Sequence, residues 1–104
     1  MVRNQTKGSV PEQFTREMGI TFSEFLRTLP AAVAPLVYRV EDRTVTLEHP
    51  GGLIEIRLHA TGERRLGAIR LPVTPVEFRF SGISQRQREQ FLARFDLHYQ
   101  RGGG

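Results

Sequence analysis

The side chains that could do chemistry here are few, and their spacing limits them further. With no cysteine, thiolate zinc sites, iron–sulfur clusters, disulfide scaffolds and cysteine nucleophiles are excluded. The three histidines, His49, His59 and His98, are expected at a turn, on the outward side of a strand and on the last helix. None stands three or four residues from another histidine, the spacing that puts two ligands on one helix face. Alternation along the chain sets His59 opposite Leu66 and away from His49. Glu41 and Asp42 are neighbours in a turn and point apart, so they read as turn formers rather than an acid–base pair. Ser23 and Ser84 fall in helix-start motifs, and no Gly-x-Ser-x-Gly elbow surrounds either. Lys7 is the one lysine and stands in no phosphate-loop motif. Gly51-Gly52 joins two strands, where a phosphate loop would lead into a helix. These residues point to no metal, no cofactor and no enzyme.

Charge says more. Of fifteen basic residues fourteen are arginine, and the net charge is +4. Residues 1–60 are balanced, so the whole excess lies in 61–104. On a final helix Arg86, Gln90, Arg94 and Arg101 would share one side, with Glu89 and Asp96 together on another. Such a stripe, joined by Arg64 and Arg65 in a 61–65 loop, would suit a phosphate backbone. The strand aromatics Tyr38, Phe78 and Phe80 point inward, however, so the sheet offers no stacking platform for single-stranded bases. A small binding or adaptor module engaging another protein is therefore the leading expectation. Its contact would use the outer sheet face, an edge strand or an N-terminal arm, with Leu53 and Leu66 as outward apolar positions. Nucleic-acid binding through Arg64, Arg65, Arg86, Arg94 and Arg101 is the alternative.

The terminal Gly102-Gly103-Gly104 resembles the exposed diglycine tail of ubiquitin-like modifiers and sulfur carriers, which is activated as a carboxyl adenylate. The resemblance covers those glycines alone. In that family the tail leaves a final strand, whereas here it follows a helix, so a helix end is the reading taken.

The elements that must position these residues follow from period and punctuation. A chain of 104 residues is one domain. Residues 1–19 are polar, lack a sustained period and are broken by Gly8, Pro11 and Gly19, so they read as a flexible arm. Thr21-Phe22-Ser23-Glu24 is a capping box, with Ile20 and Phe25 placed as a hydrophobic staple. Phe22, Phe25, Leu26, Leu29 and Val33 then make one helical stripe. This predicts a helix from Phe22 to about Leu29, with a kinked extension past Pro30 to Ala34. From Leu36 to Phe80 the period is two, giving strands around 36–40, 44–48, 54–58, 69–73 and 76–80. Pro50-Gly51 suits the centre of a type II turn. Ser84-Gln85-Arg86-Gln87 is a second capping box, opening a helix whose apolar face is Phe91, Leu92, Phe95 and Tyr99.

One register makes these strands consistent. Val40 faces Val45, Val45 faces Ile56, Ile56 faces Ile69, and Ile69 faces Phe78. The outward row then holds a Glu55–Arg70–Glu77 ladder of alternating charge. A one-residue slip would turn every side chain over, so clean apolar rows select the alignment. The expected fold is α+β: an antiparallel four- to five-stranded meander with an N-terminal and a C-terminal helix packed on one face. Residues 20–101 form the domain and 102–104 a flexible glycine tail. The longest uncharged run, Thr28 to Tyr38, is too short and proline-broken to span a bilayer. With no basic-then-apolar leader, a soluble cytoplasmic protein away from membranes is expected.

Overall fold

Both capping boxes form as their spacing requires. The Thr21 hydroxyl accepts the Glu24 N–H at 3.1 Å and the Glu24 carboxylate accepts the Thr21 N–H at 2.9 Å. They start α1, Phe22–Val33. Ser84 and Gln87 exchange the same pair of bonds, at 3.2 and 3.1 Å, and start α2, Gln85–Arg101. These distances belong to a computed structural model, which describes residues 9–101, the last of them in its backbone only. The first eight residues of the expected arm and the glycine tail lie outside the described residues.

Helix α1 carries Pro30 in its interior and ends at Val33, with the Ala34 N–H bonded to the Pro30 carbonyl at 3.2 Å. Packing overrides the proline, since Leu29, Ala32 and Val33 on both sides of it are buried. The class is α+β. Strands β1 (Gln13–Met18), β2 (Val37–Glu41), β3 (Thr44–His49), β4 (Gly52–Leu58), β5 (Gly62–Leu66) and β6 (Ile69–Ser81) form one antiparallel sheet. Its order is β1-β6-β4-β3-β2, with β5 paired to the first half of β6.

Both helices cover the same face of the sheet. Phe25 of α1 and Phe95 and Tyr99 of α2 meet Val45, Leu47, Ile54, Ile56, Val76 and Phe78 in one apolar core. Phe95 stands edge-on to Phe78 at 5.3 Å, and Phe25 stacks on Tyr99 at 4.9 Å, distances at which aromatic pairs attract beyond simple burial. The Tyr99 hydroxyl donates to the Phe25 carbonyl at 2.8 Å, tying the helices together, and burial pushes its pKa above the usual phenol range. Among the described residues, no helix is long and apolar enough to cross a membrane.

Several expectations are corrected. Part of the 1–19 segment read as a flexible arm is strand β1, which pairs Phe14 with Phe78 and Thr15 with Glu77. Its period of two is masked because an inward position is Arg16. The meander register holds from β2 to β4, with Val40 opposite Val45 and Val45 opposite Ile56. It then fails: Ile56 faces Phe78, not Ile69. The segments 69–73 and 76–80 are one strand, because Pro72 and Pro75 do not break it. Pro75 lacks an N–H but still accepts one, from His59 at 2.9 Å. The expected Glu55–Arg70–Glu77 ladder is replaced by Glu55 opposite Arg79 and Arg57 opposite Glu77. Gly51 is not among the residues with positive φ, so the Pro50-Gly51 turn is not type II. At Gly52 the requirement is space: a Cβ there would lie 1.9 Å from the Ser81 carbonyl oxygen.

Candidate interaction site

Strand β6 is longer than the sheet that holds it. Its second half is enclosed, with β1 on one edge and β4 on the other. Its first half pairs only with β5 among the described residues, and the two form a ribbon that leaves the sheet. The ribbon continues the β4–β6 pairing through a bulge. Leu58 faces Val76 and Gly62 faces Val73, so four steps on one strand match three on the other. The extra residue falls within His59–Thr61. There the Thr61 and Thr74 hydroxyls meet at 2.7 Å, and Thr74 Oγ1 donates to the Ile20 carbonyl at 2.6 Å.

Gly67-Ala68 closes the ribbon, with Leu66 opposite Ile69. Gly67 has φ +63°, which suits the first position of a type II′ turn, where a side chain is disfavoured. The 61–65 segment expected as a loop is therefore mostly strand, and His59 lies beside Glu77 rather than opposite Leu66. Alternation places Arg64, Leu66, Ile69, Leu71 and Val73 on one face of the ribbon. Glu63, Arg65, Arg70 and Pro72 lie on the other. Every residue of β5 is exposed; Leu66 is 57% and Ile69 60% accessible.

The five arginines singled out from the sequence do not form one site. Arg64 reaches across the ribbon to Glu17 of β1 at 3.0 Å. Arg65 stands directly opposite Arg70, a like-charge pair on an exposed ribbon. Arg86 and Arg94 are exposed on α2, and Arg86 lies at the Ser81 end of β6, the far end from the ribbon. The Arg101 side chain lies outside the described residues. Leu53 is outward and 48% exposed, also at the Ser81 end. Sequence reasoning missed Arg70, Ile69 and Leu71 as site residues. The signal was Gly67 between apolar Leu66 and Ile69, a hairpin closure.

Two further arginines have structural roles. Arg16 pairs with Asp96 of α2 and lies over the rings of Phe78 and Phe95, at 5.3 and 5.7 Å. Arg88 is buried and donates to the carbonyls of Val10 at 2.8 Å and Ile83 at 2.6 Å, and to the Gln85 side chain at 2.8 Å. Together they fasten the N-terminal strand to α2. A cleft of about 260 Å³ between the end of β1 and the end of α2 includes Arg16 and Asp96, which neutralise each other there.

On the outer face Glu77 accepts from Gln13 at 3.1 Å and Arg79 at 3.4 Å, and lies 3.2 Å from His59 Nε2. The His59 bond, above all, holds the Glu77 carboxyl below its ordinary pKa. Among the described residues, no three His, Asp or Glu side chains gather as a metal set. The remaining histidines bond locally, His49 Nδ1 to the Gly51 N–H and His98 Nδ1 to the Arg94 carbonyl, both at 3.0 Å. The arrangement defines an α+β domain with a projecting β-ribbon. No protein-family model, curated protein or solved structure matches the chain.

Proposed function

We propose that the chain is a small protein-binding module that docks through the β5–β6 ribbon. One observation carries the reading: Leu66, Ile69 and Leu71, 57%, 60% and 39% exposed, share one face of an element that has no helix over it. Fully burying a side chain of this size stabilises by about 1.5–3 kcal/mol, so three together favour a partner surface strongly. Arg65 and Arg70 on the other face favour carboxylates at the border of that surface. The test is capture from native lysate by the wild type, by Leu66→Asp/Ile69→Asp and by Leu53→Asp. A partner lost only with the ribbon variant supports docking there, and a partner retained by all three overturns it.

Nucleic acid is the second reading, favoured by the Arg65–Arg70 pair, because opposed like charges suit an anion and a two-stranded ribbon fits the major groove. It requires binding to mixed-sequence DNA or RNA at low salt that falls steeply as salt rises. Arg65→Glu would weaken that binding, and substituting Arg94 would weaken it if α2 also contributed.

A further inference from the structure

We propose that the ribbon's partner is a second copy of this chain, joined antiparallel along the open edge of β5. The proposal rests on the reading of the ribbon as a protein-docking element and names its occupant.

The edge is open by construction. Towards β3 the sheet ends at Leu58 and His59, where Arg43 closes it. The Leu58 N–H donates to the Arg43 carbonyl at 2.8 Å, and the Arg43 guanidinium donates to the Leu58 and His59 carbonyls, both at 2.9 Å. From Gly62 onward β5 has no second neighbour among the described residues. An unpaired edge is a template for another strand.

Hairpin geometry decides which groups that edge presents. In a hairpin closed by two residues, the flanking pair, here Leu66 and Ile69, bond to each other. Bonding then alternates, turning the backbone groups of Arg64 and Gly62 towards β6 and those of Glu63 and Arg65 outward. A two-fold pairing that joins the outward groups can be centred on Glu63, Arg64 or Arg65. Centring on Glu63 sets glutamate on glutamate, and centring on Arg65 sets arginine on arginine. Centring on Arg64 sets Glu63 of each copy opposite Arg65 of the other, and the outward backbone groups meet at those two positions. The edge is thus self-complementary in one register, as an isologous contact requires.

The side chains on both faces follow the same register. The second copy's Glu63 lies beside Arg65 and offsets its repulsion with Arg70. On the opposite face Leu66 comes to rest over the second copy's Gly62, where no side chain stands, and next to that copy's Val73. The exposed Ile69 and Leu66 become part of an apolar row that crosses the contact. Arg64 meets its counterpart at the axis, but its guanidinium is already drawn away across the ribbon to Glu17.

Light scattering or sedimentation of the full chain over micromolar to millimolar concentration tests the proposal. The expected mass rises from the 11.9 kDa monomer towards twice that value. Arg65→Glu and Glu63→Arg, each folded as judged by circular dichroism, should raise the dissociation constant by about tenfold or more, since each puts like charges opposite at two positions. Mixing these two variants should restore association, because one then carries an acid at both positions and the other a base at both. Arg65→Pro, which removes an outward N–H without touching the ladder to β6, should also dissociate the pair. A chain that is monomeric throughout overturns the proposal, as does association that none of these variants changes. Should the monomeric chain lose a different protein on Leu66→Asp/Ile69→Asp, self-pairing falls and ribbon docking stands. Should it instead lose low-salt nucleic-acid binding on Arg65→Glu, both protein readings fall.

Discussion

The two halves of β6 have the same period and opposite fates. In the second half Val76, Phe78 and Phe80 are 0%, 0% and 4% exposed, while in the first half Ile69 is 60% exposed. The phase of the apolar residues distinguishes them: Ile69, Leu71 and Val73 fall on the outer face with Glu77 and Arg79, whereas Val76, Phe78 and Phe80 face the helices. Val76 to Phe80 lie between two strands and under α2. Ile69 to Val73 have one strand beside them and no helix above. Burial here is decided by which face a residue occupies and what covers that face, rather than by its own hydrophobicity.

The difference can be tested from its strongest point downward. Phe78→Ala removes a ring that touches Phe14 and Phe95 and should cost about 3–5 kcal/mol on denaturant unfolding. Arg88→Ala leaves the Val10 and Ile83 carbonyls without their charged donor and should cost about 2–3 kcal/mol. Hydrogen exchange should then speed up in β1 and leave β5 unchanged, because Arg88 fastens the N-terminal strand and not the ribbon. Thr21→Ala removes the cap of α1 and should cost about 1 kcal/mol.

Glu77 contributes through pH. Its pKa is lower in the folded chain than unfolded, so its contribution is present above the ordinary glutamate range and fades as pH falls through the lower folded value. Acid titration of Glu77→Gln should therefore show a smaller loss of stability over that window. Smallest of all, Leu66→Ser or Ile69→Ser should change unfolding by less than about 0.5 kcal/mol, although both are apolar. A large loss there would mean that the ribbon is part of the core.

What can be read from the residues follows the same division. Both capping boxes and the Val40–Val45–Ile56 row are legible because the signal is local or strictly alternating. Strand β1 is hidden by Arg16, whose charge at an inward position is compensated by Asp96 eighty residues away. The continuity of β6 is hidden by Pro72 and Pro75, and strand β5 by Gly62-Glu63-Arg64-Arg65, which has no apolar alternation. The ribbon is legible only in fragments: Leu66 is outward by its period, while Arg64 and Arg65 look alike to helix arginines that lie elsewhere. The β6 half of the ribbon is legible from the alternation of Ile69, Leu71 and Val73, whereas β5, exposed throughout, shows no such pattern.

The bulge at His59–Thr61 separates length from stability. Outside it, residues can be added to β5 and β6 in matched pairs without moving any side chain of the core. Each step of two residues per strand carries the Gly67-Ala68 tip outward by about 6.6 Å. Even steps also preserve which face the arginines and leucines occupy. The reach of the ribbon is therefore a dimension that this fold can adjust freely while the sandwich behind it stays the same.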